Sequence, residues 1–349
     1  MRTDTLQSDM LEHMHYTLRP LTCALAYAVF WPLAFFAAPL AAAQDRVSPP
    51  AAIERYQPVF EWCRGADRES LAIRAYQKGG VDYRLTVNPH TLRTRIEEAS
   101  ALQCDADPGN AEGLLSGTPY RRALDVEEES KHLLQDAGLV RSLRPVRGYF
   151  LTVDLCPSSK KGFNQELFET LEHASQVHGT AALPVALSVS GGWIKRHREA
   201  FAWLRNESTA GRLQVTWVNH TMSHPYDSHL DLAHNFMRES GIDPLAEILG
   251  LEKLLLEQGI TPSVFFRFPG LVSSPALIEL IERLHLIVIG SDAWLAKGQR
   301  PKPGSVILIH GNLNEPAGVK LMLEWVASKE KDSIYFLPLE SIAGTSSDR

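Results

Sequence analysis

The sequence predicts an α/β fold in which alternating strands and helices build a parallel sheet. From Tyr149 onward, short apolar runs alternate with longer segments of helical character. The runs are apolar at nearly every residue, as expected of strands covered on both faces. Strands that alternate with helices pair in parallel. About seven strands over roughly 200 residues favour a (β/α) barrel short of eight units, with a doubly wound open sheet as the alternative.

The predicted strands are, in chain order, YFLTVD, LPVALSVS, LQVTWVN, PSVFFRF, LIVIGSD, GSVILIHGN and SIYFLPL. Helical segments lie between them. The clearest is DPLAEILGLEKLLLEQG, where Asp243 is the expected N-cap, Pro244 the first helical residue and Gly259 the end. These start and stop signals support a helix between two buried strands.

The part of the chain before Tyr149 carries no recognisable catalytic pattern. Residues 44–60 are rich in proline, alanine and charge, and we interpret them as a linker. Residues 61–147 are predicted to form a small α+β region, with a strand in YRLTVNP and helices in PHTLRTRIEEASALQ and DVEEESKHLLQDAGLV. The sequence does not indicate what this region does.

An export signal is predicted over residues 1–43, and a start at Met14 would give it a more usual length. A basic residue precedes an apolar run from about 21 to 38, and an A-x-A cleavage site ends at Ala43. A membrane span is the alternative reading, but the run is short and two prolines break it. We therefore expect a periplasmic or secreted protein with no stable span after cleavage.

Charge and cysteine content narrow the partners and the compartment. The net charge of −6 argues against a general nucleic-acid binder. Exported proteins can keep disulfides, and we favour a bond between Cys63 and Cys104 because both lie in the N-terminal region. Cys156 is then the odd cysteine.

Ionisable residues follow five of the predicted strands. Because the carboxyl ends of barrel strands meet at one face, these residues are expected to form one site. They are Asp154, the pair His220 and His224, Arg267, Asp292 and His310.

The HTMSH segment is the strongest local sign of a metal site. His220 and His224 would share one face of a helical turn and could hold one ion. Pro225 follows directly, so we expect a single turn at the strand tip. Imidazole is a common ligand of zinc and similar divalent ions. Two unrelated surface histidines are the alternative.

The other strand-end residues also have structural alternatives. Arg267 lies in an apolar strand and needs a carboxylate partner, for which Asp154 and Asp292 are the candidates. A structural ion pair would satisfy it equally well. His310 could be a buried histidine with a satisfied hydrogen bond, and Trp294 and Leu308 could be ordinary core residues.

The order of these segments resembles the polysaccharide deacetylases with a NodB homology domain, carbohydrate esterase family 4. The resemblance covers about residues 148–342. The family motifs are T-F-D-D-G-P, H-[ST]-x-x-H, R-x-P, an Asp with a Trp, and L-x-H. They are matched in order by Thr152, Asp154 and Pro157, by His220, Thr221 and His224, by Arg267 and Pro269, by Asp292 and Trp294, and by Leu308 and His310.

The resemblance implies a distorted (β/α)7 barrel over residues 148–345 that hydrolyses N-acetyl or O-acetyl groups on a polysaccharide or glycan. It implies a divalent metal, with zinc expected, on His220 and His224. Asp154 would be the base, oriented by Arg267, and His310 the acid, tuned by Asp292. The pocket for the acetyl methyl group would be formed by Trp294, Leu308 and Pro269.

One departure from the family bears directly on the metal. Leu155 stands where the family has a metal-binding aspartate, and Cys156 follows it. In one alternative, Asp154 itself serves as a metal ligand. Alternatively, Cys156 supplies the ligand, since residues two apart on a strand point to the same side. The third alternative is a weakly active or inactive glycan-binding protein without the metal.

Overall fold

The computed structural model describes residues 52–157, 162–177, 179–328 and 334–344. The predicted export signal lies outside these residues. Within the described residues, no helix combines the length and apolar character needed to cross a membrane. Residues 49–349 make up one compact unit, and its described part contains two sheets.

The first sheet is antiparallel and lies in the N-terminal region, with the strand order β4-β3-β2-β1-β5. Its strands are β1 (Ile53–Arg64), β2 (Glu69–Lys78), β3 (Val81–Val87), β4 (Thr94–Glu98) and β5 (Gln103–Asp105). Two helices follow it, α1 (Ala111–Leu115) and α2 (Pro119–Ser130). A disulfide joins Cys63 to Cys104, so the predicted pairing is confirmed.

Two local predictions for this region were wrong. The chain from Ile53 belongs to β1, whereas we predicted a linker through residue 60. Register shifts on either side of Pro58 accommodate the proline in the strand. The helix predicted over PHTLRTRIEEASALQ is instead β4, a short 3₁₀ turn and β5. Pairing of β4 with β3 outweighs the helical propensity of that segment.

The second sheet has seven strands, all paired in parallel, in the order β10-β9-β8-β7-β6-β12-β11. The strands are β6 (Phe150–Leu155), β7 (Leu183–Val189), β8 (Leu213–Asn219), β9 (Phe265–Phe266), β10 (Ile287–Val288), β11 (Ala293–Trp294) and β12 (Val306–His310). The helices are α3 (Gln165–Val177), α4 (Gly191–Arg196), α5 (Arg198–Thr209), α6 (Pro244–Glu257), α7 (Pro275–Arg283) and α8 (Pro316–Ala327).

This curled parallel sheet confirms the predicted distorted barrel. In the last predicted strand, SIYFLPL, the described residues 334–339 make a single bridge, from Phe336 to Tyr149, so β11 is the seventh strand instead. Asp243 caps α6, and Pro244 begins it, as the sequence indicated.

The N-terminal region completes the wall of the barrel at β10. The Glu127 carboxylate accepts a hydrogen bond from the Val288 amide, 2.8 Å away. The Leu139 amide donates to the Val288 carbonyl oxygen, and its own carbonyl accepts from the Gly290 amide. Residues from both regions also share one hydrophobic cluster, which includes Leu71 and Phe265. The boundary drawn at 147/148 stays a prediction, but the two regions share a core.

A buried ion pair also joins the two regions. Arg74 on β2 donates to both oxygens of Glu252 on α6, at 2.6 and 2.8 Å. The Tyr56 hydroxyl donates to the same carboxylate. Both charged side chains are almost fully buried, so the pair depends on the packing of the sheet against α6.

Candidate active site

A cavity of about 690 Å³ opens at the carboxyl ends of the barrel strands. Seven of the side chains predicted from the sequence line it, namely Asp154, Cys156, His220, His224, Trp294, Leu308 and His310. Arg267 is fully buried beside the cavity and contacts Asp154. Pro269 is buried in a 3₁₀ turn, and the next two residues of that turn line the cavity in its place.

Asp154 is held by Arg267, as predicted. Nη1 of Arg267 donates to Oδ1 of Asp154 and to the Thr152 hydroxyl, both at 2.7 Å, and Nη2 donates to the Gly290 carbonyl at 2.9 Å. Burial would raise the pKa of Asp154, but Arg267 and the nearby histidines lower it below its usual range. The carboxylate is therefore held ionised and in one orientation.

Leu155 and Cys156 point in opposite directions, because side chains alternate along a strand. Leu155 is fully buried in the apolar cluster behind the sheet. Cys156 lies on the same side as Asp154, and both line the cavity. The thiol of Cys156 therefore lies in the cavity, whereas the side chain of Leu155 points away from it.

Cys156, His220 and His224 form a compact group of potential metal ligands, with their ligand atoms all within 4.8 Å of one another. Sγ of Cys156 lies 3.5 Å from Nε2 of His220. Nδ1 of His220 lies 2.9 Å from the Arg267 carbonyl oxygen, which leaves Nε2 facing the group. Asp154 is outside the group; its Oδ2 lies 3.9 Å from Nε2 of His220.

Two observations test whether a metal fits this group. Nε2 of His224 is buried and has no hydrogen-bond partner among the described residues. Burial would raise the pKa of the Cys156 thiol, but His224, His310 and His220 lower it well below its usual range. A thiolate with two imidazoles is a donor set that zinc accepts. The residues present therefore fit a divalent metal.

We predicted that the two histidines lie on a helical turn, and this prediction was wrong. Residues 220–224 form an irregular bend, in which Thr221 and His224 have φ values of 69° and 53°. The His224 amide donates to the Thr221 hydroxyl, and Ser223 donates through its amide and its hydroxyl to Glu247 on α6. Positive φ is uncommon for these residue types, so the anchoring contacts hold a conformation that brings both imidazoles inward.

His310 has a carboxylate partner, but it is not the predicted Asp292. Its Nδ1 lies 2.8 Å from Oε2 of Glu315, and the Trp294 indole nitrogen donates to the same oxygen. Asp292 instead lies 3.7 Å from Nε of Arg141. Ser291 and Ala293 on either side of Asp292 are buried and Trp294 lines the cavity, so the Trp294 indole rather than Asp292 contacts the carboxylate of Glu315.

The charge of His310 follows from these neighbours. Burial lowers the pKa of an imidazole, but Cys156, Glu315 and Asp154 together raise that of His310 well above its usual range. Although burial would raise the pKa of Glu315, its contact with His310 lowers it. His310 is thus set up to carry a proton beside an ionised carboxylate.

Aromatic side chains form the outer wall of the cavity. Tyr226 is 63% exposed and lies 5.3 Å, between ring centroids, from the buried Phe236. Both line the cavity, with Leu271. No sequence pattern pointed to these residues or to Glu315, because they lie in loops without periodicity. The Tyr226 position, two residues after His224, is the one local signal that could have pointed to it.

No family model matches the chain. Among solved structures, the chain is similar to a family 4 carbohydrate esterase from Bacillus anthracis, with 17% identity, 62% of this chain and 89% of that chain covered, and a TM-score of 0.42. The chain is also similar to a family 4 carbohydrate esterase from Bacillus subtilis, with 14% identity, 62% of this chain and 87% of that chain covered, and a TM-score of 0.43. A third similar structure is a family 4 carbohydrate esterase from Streptomyces lividans in complex with acetate. Its identity is 22%, 52% of this chain and 89% of that chain are covered, and the TM-score is 0.36.

Proposed function

We propose that this protein is an exported, metal-dependent deacetylase that hydrolyses N-acetyl or O-acetyl groups on a polysaccharide or glycan. One observation carries the proposal. A single cavity holds an arginine-bound carboxylate, a Cys–His–His ligand group and a histidine paired with a carboxylate. Acyl hydrolysis is assisted by a general base, a general acid and a group that polarises the acyl carbonyl. The residues of this cavity, with a metal bound, can supply all three.

The metal would be held by Cys156, His220 and His224, and zinc is the ion that suits this donor set. When bound, a divalent metal polarises the acyl carbonyl and lowers the pKa of water. The Arg267 carbonyl fixes the ring of His220 through Nδ1, in the way that outer partners orient metal-binding histidines.

Asp154 would act as the base. Its Oδ1 is engaged by Arg267, while Oδ2 faces the ligand group. The carboxylate would take a proton from the water whose oxygen bonds to the acetyl carbon. Arg267 would orient Asp154 and limit its basicity.

His310 would act as the acid on the other side of the substrate. It would give its proton to the leaving nitrogen or oxygen as the bond to the acetyl carbon breaks, so that acetate and a free amine or hydroxyl result. Glu315 would hold the imidazole in position through Nδ1. We therefore assign to Glu315 the positioning role first expected of Asp292.

The walls and the disulfide support the rest of the proposal. Tyr226 and Trp294 line the cavity and would contact a sugar, and Leu308 would provide an apolar contact for an acetyl methyl group. The Cys63–Cys104 bond is typical of a protein that folds in an oxidising compartment. Export to the periplasm or the medium remains part of the proposal, with an acetylated glycan as the partner.

One observation favours a second candidate, an inactive glycan-binding protein. Leu155 cannot bind a metal and is buried in the core, and Asp154 is engaged by Arg267. Without a third ligand from Cys156, the two histidines would hold a metal weakly. The distinction therefore depends on the thiol.

The deciding experiment measures metal content and acetate release on the purified protein after zinc or cobalt reconstitution. We expect about one metal per chain and hydrolysis of an acetylated oligosaccharide, with both lost in Cys156→Ala and His220→Ala. The matched control is His229→Ala, because His229 is an exposed histidine of the same loop outside the cavity. Equal activity in wild type and His220→Ala would reject the assigned site. No metal in wild type would favour the binding protein.

A further inference from the structure

The short helix α4 is fixed against the loop that carries His220 and His224. The Gly191 amide donates to the Thr221 carbonyl at 3.1 Å, and the Gly192 amide donates to the Met222 carbonyl at 2.7 Å. A Cβ atom at Gly191 would lie 2.7 Å from the carbonyl oxygen of Met222, so only glycine allows this approach to the loop backbone. The helix therefore has a defined position beside the candidate metal group.

The end of α4 presents positive charge to the cavity. Arg196 in its last turn is exposed and lines the cavity that holds Asp154, His224 and Glu315. It also lines a neighbouring groove of about 350 Å³, where Lys195 and Arg198 lie with Glu199 as the single carboxylate. One guanidinium thus connects the two depressions.

The carboxylates that line the cavity already have partners. Asp154 pairs with Arg267, and Glu315 pairs with His310. Among the described residues, no ion pair of Arg196 is found. The protein as a whole carries a net charge of −6. The positive charge of Lys195, Arg196 and Arg198 is therefore a local feature and does not reflect a general excess of basic residues. An uncompensated guanidinium at the mouth of a cavity is suited to an anionic ligand.

We propose that the cavity binds an anionic glycan. The carboxylate or phosphate of this glycan would bind Arg196, and its further sugar units would lie along the groove beside Lys195 and Arg198. This inference rests on the proposed function and names its substrate class. Burial and the nearby Arg196 lower the pKa of His197, so the lysine and the two arginines supply the charge of the groove. Tyr226 and Trp294 would contact the sugar rings, and Arg196 would select the acidic group.

The test compares two substrates, an O-acetylated oligogalacturonate and a neutral N-acetylglucosamine oligomer, in wild type and in Arg196→Gln. The ratio of kcat/KM for the acidic over the neutral substrate is expected to fall about tenfold in the variant, the effect of losing one charged hydrogen bond at an exposed site. Arg283→Gln is the control, because Arg283 is exposed on α7 outside both depressions. It should leave the ratio unchanged.

A binding measurement keeps this inference separate from the proposed function. Calorimetry with deacetylated oligogalacturonate and with glucosamine 6-phosphate, on wild type and Arg196→Gln, requires no catalysis. We expect binding that weakens about tenfold in the variant and weakens with added salt. The two ligands separate carboxylate from phosphate as the recognised group. If neither binds, or if the variant binds both as wild type does, the inference is wrong even where deacetylation is found. If both bind but no acetyl group is released, the proposed function fails while the anion site stands.

Discussion

The pair formed by Arg267 and Asp154 yields a prediction that does not depend on the activity. Replacing Arg267 by methionine keeps most of the side-chain volume and removes the charge. The side chain of Arg267 is 0% exposed and that of Asp154 4% exposed, so the carboxylate would be left buried without a counter-charge. The Gly290 carbonyl would also lose the donor 2.9 Å away.

The size of the effect follows from these contacts. Removing one member of a buried ion pair costs about 3 to 5 kcal/mol of the free energy of unfolding. The lost donor to Gly290 adds about 1 kcal/mol. We therefore expect Arg267→Met to destabilise the protein by about 4 to 6 kcal/mol at neutral pH. The double variant with Asp154→Asn should recover about 2 kcal/mol or more, because the uncompensated charge is gone.

Urea unfolding of the wild type, both single variants and the double variant measures this cycle. The exposed pair of Arg64 and Glu69 provides the control, with side chains 63% and 49% exposed. Arg64→Met should cost less than about 1 kcal/mol. A cost below about 1 kcal/mol for Arg267→Met, or a double variant that is no more stable than Arg267→Met, would refute the reasoning.

Three further predictions follow from the described contacts. Glu315→Gln should lower kcat roughly 10- to 100-fold with KM within about twofold, since its proposed role is to position His310; steady-state kinetics checks this, and a change in KM alone would contradict it. His285 has a pKa lowered to about 4 by burial and Arg74. As the pH falls, His285 is therefore protonated in the unfolded chain at a higher pH than in the folded protein. The free energy of unfolding should fall by about 3 kcal/mol as the pH drops from about 6.5 to 4. The backbone of His285 has a φ of 58°, which asparagine tolerates. His285→Asn should therefore remove that pH dependence in urea titrations; an unchanged slope would count against it. Replacing both Cys63 and Cys104 by alanine should cost about 4 kcal/mol, given a separation of 41 residues; urea unfolding without reductant tests this, and a cost under about 1 kcal/mol would disagree.

The catalytic candidates could be predicted because each follows an apolar run. Asp154, His220 and His310 each follow or end a strand, and parallel strands bring their ends to one face. The alternation of side chains also indicated that Cys156 could join Asp154. These inferences depend only on local order and on the rule that relates strand ends to sites.

What the sequence did not predict depends on loop geometry. Glu315 lies five residues beyond His310 and returns to it through a turn that has no periodic signal. Asp292 was expected beside His310 because it ends an apolar run, yet its Oδ2 lies 3.7 Å from Nε of Arg141. The bend at residues 220–224 similarly requires contacts with α6 that no local pattern encodes.

The contacts around Val288 have a consequence for how such a barrel can be inherited. Its amide and carbonyl are both satisfied by Glu127 and Leu139, which precede the barrel in the chain. A gene fragment beginning at Tyr149 would encode all seven parallel strands but leave the outer edge of β10 bare. Such an edge recruits strands from other molecules. Transfer of the barrel alone into a new protein would therefore favour self-association, and recombination should preserve the barrel together with the region that precedes it.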